Sequence, residues 1–146
     1  MFEKKKLTIY SDGGARGNPG PAATGFVVYQ DGQLMAKFGR AIGRATNNVA
    51  EYQAVIEALN WLAQNLKGKT FLAHHHIDSQ LIVNQINGLY RIKDARLRAL
   101  IFKVKELEQK LRQKFNLEII YSYIPREKNA AADQLVNQAL DRTVIN

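Results

Sequence analysis

The apolar residues of this chain follow two different spacings, and the place where one gives way to the other constrains the fold more than any other feature. Up to Ile42 the alternation has a period of two, in Lys6–Tyr10, Thr24–Tyr29 and Gln33–Ile42, which predicts three strands. Asp31-Gly32 between the second and third is a hairpin signal. Thr46-Asn47-Asn48 then forms an N-cap cluster. After it Tyr52, Val55, Ile56, Leu59, Leu62 and Leu66 recur at helical spacing until Lys67-Gly68-Lys69. A fourth strand is predicted over Thr70–Ile77, a short helix over Ser79–Asn87, and a longer helix over Ala95–Lys114. A fifth strand over Leu117–Ile124 is stopped by Pro125, and a last helix runs over Asn129–Leu140. The order βββαβααβα predicts an α/β domain, with a five-stranded mixed sheet covered by helices on both faces.

The segment joining the first two strands, Ser11-Asp12-Gly13-Gly14-Ala15-Arg16-Gly17-Asn18-Pro19-Gly20, is rich in glycine. It leads from strand to strand, it does not fit G-x-G-x-x-G, and no Gly-Lys-Ser/Thr follows. A nucleotide cradle at a helix N-terminus is therefore not expected. The expected structure is a wide hairpin loop, with Asp12 at the end of the first strand. Such a carboxylate requires something to stabilise its charge.

Three other acids stand out by position. Asp78 ends the fourth strand, Glu51 lies near the start of the first long helix, and Asp133 lies near the start of the last helix. None has an ion-pair partner at local spacing, unlike Glu106 and Glu108 among their lysines. If the first and fourth strands are neighbours, their acidic ends converge. Converging carboxylates repel unless cations lie between them, and hard oxygen ligands favour Mg²⁺ or Mn²⁺. Two such ions about 4 Å apart form an apparatus for in-line displacement at phosphorus. Taken singly, each acid is more often a solvated loop end or a cap.

Lys and Arg total 21 against 13 Asp and Glu, a net charge of +8, which favours a polyanionic partner such as nucleic acid. The chain has 146 residues, no cysteine, no internal repeat and no apolar run of membrane-spanning length. No apolar segment follows the lysines of Met1–Lys6, so a single domain over residues 1–146 in the cytoplasm is expected, without membrane or small-molecule cofactor.

The stretches YSDGGARGNPGPAATGFVV, TNNVAEYQAVIEAL, IDSQLIVNQING and PREKNAAADQLVNQAL, in this order and spread over nearly the whole chain, resemble the motif blocks of type 1 ribonuclease H. The resemblance implies the ribonuclease H-like fold and an endonuclease that hydrolyses the RNA strand of RNA–DNA hybrids, leaving 5′-phosphate and 3′-hydroxyl ends. It places the metal-ligating, catalytic carboxylates on Asp12, Glu51, Asp78 and Asp133, holding two Mg²⁺ or Mn²⁺ ions with substrate. One ion would activate the attacking water and the other would stabilise the leaving 3′ oxygen. Asp12 would be shared by both, and Glu51 would accept a hydrogen bond from a ribose 2′-hydroxyl, a contact DNA lacks.

By the same resemblance Gly13 and Gly14 let the backbone approach the hybrid, Asn18 and Asn47 contact it, and Thr46 grips a DNA-strand phosphate. Asn48 and Gln80 touch the RNA side. The alternative for Thr46, Asn18 and Asn47 is capping and turn chemistry. Where many members carry a loop histidine, this chain reads Ile124-Pro125-Arg126-Glu127-Lys128-Asn129, with Arg126 as the nearest auxiliary candidate. Arg supplies charge, not a general base. The basic handle of the best-known bacterial form is reduced to Gly88–Asp94. The basic stretch Arg91–Lys114, of net charge +6, is the candidate replacement.

Two rival readings remain: a catalytically weak or inactive module of the same fold that binds hybrid or double-stranded RNA, and a generic metal-dependent exonuclease or integrase-like enzyme. A monomer is expected, with double-stranded RNA a second candidate ligand. His74-His75-His76 are expected to be core or helix-facing, and Tyr52 and Trp61 to be core residues.

Overall fold

A computed structural model describes residues 4–144 of the chain; Met1–Glu3, read above for a leader, lie outside the described residues. The elements are β1 (Lys5–Ala15), β2 (Gly20–Gln30), β3 (Gln33–Ala45), α1 (Asn47–Asn65), β4 (Phe71–Ile77), α2 (Gln80–Ile86), α3 (Ala95–Phe115), β5 (Leu117–Tyr123) and α4 (Ala130–Val144). A single 3₁₀ turn, Arg126–Lys128, precedes α4. The order is the one the spacing predicts. The sheet runs β3-β2-β1-β4-β5, antiparallel across β1–β2 and β2–β3 and parallel across β1–β4 and β4–β5.

Period-two alternation gives the sheet two apolar faces. On one, Leu7, Ile9, Phe26, Val28, Phe71 and Ala73 pack beneath Val55, Leu59, Leu62, Ile82, Val104, Leu107 and Leu111 of α1, α2 and α3. On the other, Ala23 packs against Val136, Ala139 and Leu140 of α4. The helix starts are fixed by side-chain oxygens that accept from otherwise unpaired N–H groups: Thr46 from Val49, Ser79 from Ile82, and Asp94 from Arg96 and Leu97. Asn116 closes α3 in the left-handed region, at φ 51°.

The glycine-rich segment departs from expectation. β1 does not end at Asp12 but continues through Gly13 and Gly14 to Ala15, paired with Ala22–Gly25 of β2. The chain reverses over residues 16–19 instead of in a wide loop. Glycine is unfavourable in strands by propensity, but a close neighbour outweighs that here. A Cβ on Gly13 would run into the backbone carbonyl of Ala50 in α1. The neighbour that Gly13 admits is the protein's own helix.

The expectations for the rings hold for His75 and Tyr52 and only in part for His74, His76 and Trp61. His75 is core, fully buried with its ring hydrogen-bonded to the Ser11 hydroxyl at 2.8 Å. His74 and His76 alternate onto the opposite face and are half-buried, with His76 stacked on Tyr10 at 5.0 Å between centroids. Tyr52 is fully buried and donates its hydroxyl to Gln85 at 2.6 Å. Trp61 is only partly buried, at the margin of the core beside Phe26 and Phe38.

Candidate active site

The parallel ladder between β1 and β4 ends at Ser11 and Ile77. The next residue of the chain after each is an acid, Asp12 within β1 and Asp78 just past β4, so the register sets Asp12 beside Asp78. Glu51 reaches the same point from α1, whose backbone presses on Gly13 at Ala50 and Glu51. Asp12 pairs across β2 with Gly25, and a Cβ there would lie 2.6 Å from the Ala132 carbonyl. α4 therefore rests directly on Gly25, which brings Asp133, the residue after Ala132, to the same end of the sheet. Two bare backbone positions let two helices deliver their acids.

One carboxylate oxygen from each of Asp12, Glu51 and Asp78 lies within 4.8 Å of the others. Asp133 stands outside that tightest group but lines the same cleft, an opening of about 320 Å³ that also includes Gly13, Gly14, Asn47 and Arg126. Asp12 and Glu51 are buried, at 6% and 8% exposure, whereas Asp78 and Asp133 are half-exposed.

The electrostatics follow from this crowding. Burial, and then the charge of Asp78, push the Asp12 carboxyl up to about 7. Burial, then Asp12 and Asp78, hold Glu51 well above the ordinary range, against a backbone N–H of Gly13 that favours its charge. Burial raises Asp78 as well, opposed by the Asn129 amide and the Arg126 guanidinium. Glu51 Oε2 is buried with no hydrogen-bond partner. A group of hard oxygen donors that repel one another, one of them unpaired, suits a divalent cation held among them.

The remaining predicted residues divide. Thr46 caps α1, as the capping alternative supposed. Asn47 Oδ1 accepts from the Ala15 N–H at 2.9 Å, and Asn18 Oδ1 accepts from the Asn47 N–H at 3.0 Å. Both asparagines tie the β1–β2 turn to the start of α1 at the rim of the cleft. Thr46, Asn18 and Asn48 line a second opening of about 210 Å³ with Arg96 and Asp94. Gln80 is exposed on the first residue of α2, next to Ser79 and Asp78. Arg126 Nη2 lies 3.6 Å from Asp133 Oδ1, an ion pair that local spacing did not reveal. Arg98, Lys103, Lys105, Lys110 and Arg112 are exposed along α3, two of them paired with Glu106 and Glu108. Asn129, read only as the start of the last helix, is buried at 1% exposure and donates to Asp78.

A family model described as RNase H matches residues 4–141. The chain belongs to the ribonuclease H family. It is 40% identical over 143 residues to the ribonuclease HI of Halobacterium salinarum, covering 93% of this chain and 65% of that protein. It is 39% identical over 138 residues to the bifunctional protein Rv2228c of Mycobacterium tuberculosis, covering 93% of this chain but 36% of that protein. The chain thus spans about a third of the length of its mycobacterial relatives. LC11-RNase H1, isolated from compost by a metagenomic approach, superposes with a TM-score of 0.85 at 40% identity, over 95% of this chain and 98% of that one. The same protein in complex with an RNA/DNA hybrid superposes with a TM-score of 0.83 at 38% identity, over 94% and 99%. These neighbours make the type 1 branch of ribonuclease H, and its fold, the framework for this chain's site.

Proposed function

We propose that this chain is a single-domain endonuclease that hydrolyses the RNA strand of RNA–DNA hybrids with the help of divalent cations. The observation that carries this reading is the meeting of Asp12, Glu51 and Asp78 within 4.8 Å, with Asp133 on the same cleft. The hybrid complex of LC11-RNase H1 supports the choice of substrate class.

Asp12, which Asp78, Glu51 and Asp133 all crowd, would hold two Mg²⁺ or Mn²⁺ ions together with Glu51, Asp78 and Asp133, Asp12 serving both. Bound there, the ions would neutralise the scissile phosphate and make the attacking water more acidic, so that cleavage leaves 5′-phosphate and 3′-hydroxyl ends. Glu51 accepts from the ribose 2′-hydroxyl of the strand to be cut. Gly14 offers the hybrid a strand edge without a side chain. Asn18, Asn47, Asn48 and Gln80 present amides along the rim for the grooves, and Thr46, in the second opening with Arg96, faces a backbone phosphate. Arg126 adds positive charge where the negative charge of the carboxylates would otherwise repel the phosphate. The exposed cations of α3 extend this attraction beyond the cleft.

The test is a substrate panel. Labelled RNA–DNA hybrid, double-stranded RNA and single-stranded RNA are incubated with Mg²⁺, with Mn²⁺ and with EDTA. The expected result is internal cutting of the hybrid's RNA strand, abolished by EDTA and by Asp12→Asn. Binding of hybrid without cutting in either metal would favour the inactive-module reading, and turnover by Asp12→Asn equal to that of the unaltered chain would remove Asp12 from the mechanism.

A further inference from the structure

Asn129 sits where three of the acid-bearing elements meet. Its side chain is 1% exposed, and the amide nitrogen donates to Asp78 Oδ2 at 2.9 Å and to the backbone carbonyl of Ser11, the neighbour of Asp12, also at 2.9 Å. Both partners are oxygen acceptors, so the amide has one workable orientation: reversing it would set Oδ1 against two oxygens. Both amide protons are spent, and Oδ1 is buried without a partner. The Asn129 carbonyl in turn accepts from the Asp133 N–H at 3.1 Å, in the first turn of α4.

These contacts fall where the backbone ladder gives out. The parallel rungs between β1 and β4 end at Ser11–Ile77, one residue before the acids. Beyond that point the Asn129 amide supplies the cross-link between the strands, from the Ser11 carbonyl to the Asp78 side chain. Asp78 stands just past its strand and is half-exposed. Without a partner its carboxylate would be free to rotate away from Asp12, which repels it.

We propose that Asn129 is a positioning residue for the cation site: its two hydrogen bonds hold Asp78 in register with Asp12 against their mutual repulsion, so that cations meet a preformed set of ligands. This rests on the reading of the four acids as metal ligands. Partners behind a metal's own ligands typically contribute about 10- to 100-fold in affinity. Removing the amide is therefore expected to weaken cation binding while leaving the hybrid-facing rim untouched.

The experiment measures Mn²⁺ binding to the substrate-free protein by electron paramagnetic resonance, for the unaltered chain, Asn129→Ala, Asn129→Leu and Asp78→Asn. Leu keeps the branching of Asn at Cγ and fills the site without donors, so it carries the test if the Ala variant fails to fold. Thermal midpoints in EDTA report the purely structural cost. The expected result is Mn²⁺ affinity at least about tenfold weaker in both Asn129 variants, kcat at limiting Mn²⁺ reduced and largely restored by excess Mn²⁺, and KM for hybrid unchanged. Lowered midpoints in EDTA with unchanged Mn²⁺ affinity would overturn the proposal and leave Asn129 a structural residue. Equal Mn²⁺ binding by Asp78→Asn and the unaltered chain would instead overturn the assignment of the metal ligands.

Discussion

A carboxyl group that keeps its proton up to about pH 7, as Asp12 does, is stabilised by that proton only while no cation is present. The sign of the consequence is fixed. An Asp whose pKa is raised on folding holds a proton that the unfolded chain has already released above its ordinary value of 3.8. Its contribution to stability is full below pH 3.8 and is lost as pH rises through about 7. Glu51 and Asp78 are raised as well and act in the same direction. The metal-free protein is therefore expected to lose thermal stability between about pH 4 and pH 7. Asp12→Asn, which carries no charge at any of these pH values, is expected to flatten that slope and to melt higher than the unaltered chain at about pH 8 in EDTA. Saturating Mg²⁺ is expected to remove most of the difference. Melting curves in EDTA and in Mg²⁺ across this range check it; a slope of the opposite sign in EDTA would mean that the acids are not crowded as described. The acids themselves could be picked out from the sequence as charges without local partners. The Arg126–Asp133 pair and the Asn129 amide could not, because both are formed by the turn before α4 and no spacing rule reaches across it.

At the scale of elements, the periodicities placed every strand and helix in order, since each apolar stripe had a sheet or helix face to cover. They failed at the end of β1. Gly13 and Gly14 read as loop because glycine is a poor strand former, and the reason for Gly13 is the nearness of a helix 37 residues later in sequence, at Ala50. The same contact predicts an asymmetry between neighbours. Gly13→Ala forces a methyl into the α1 backbone, and overpacking of this kind typically costs about 1–3 kcal/mol, sometimes more. It also displaces Glu51, so cleavage is expected to fall along with stability. Gly14→Ala meets only Val136 Cγ1, at 3.8 Å, an ordinary contact. Its stability is expected to change little. Urea unfolding of both variants makes the comparison; equal losses would show that α1 does not press on β1 at Gly13. The three histidines mark the same limit of periodicity. Alternation correctly separates His75 from His74 and His76, but which set enters the core depends on which face α1, α2 and α3 cover, and that is a property of the whole sheet.

Taken whole, the molecule sets a concentrated patch of negative charge in a body of net charge +8. The two serve different parts of one task. On the proposed reading the dispersed basic side chains, many of them on α3, would draw a polyanion to the surface, and the acids would repel its phosphates unless divalent cations stood between. Net charge was legible from composition, and the family from four motif blocks. The crossing of the chain that unites the acids was not, since it depends on a parallel register and on two helices closing onto backbone without side chains. The account rests on cations among Asp12, Glu51, Asp78 and Asp133. Its most direct test is X-ray diffraction at the manganese absorption edge, from crystals of the protein soaked in Mn²⁺ with a non-cleavable RNA–DNA hybrid. The account predicts two anomalous peaks about 4 Å apart, both between these four carboxylates and the scissile phosphate. A hybrid seated elsewhere, or a cleft without manganese at saturating concentration, would contradict it.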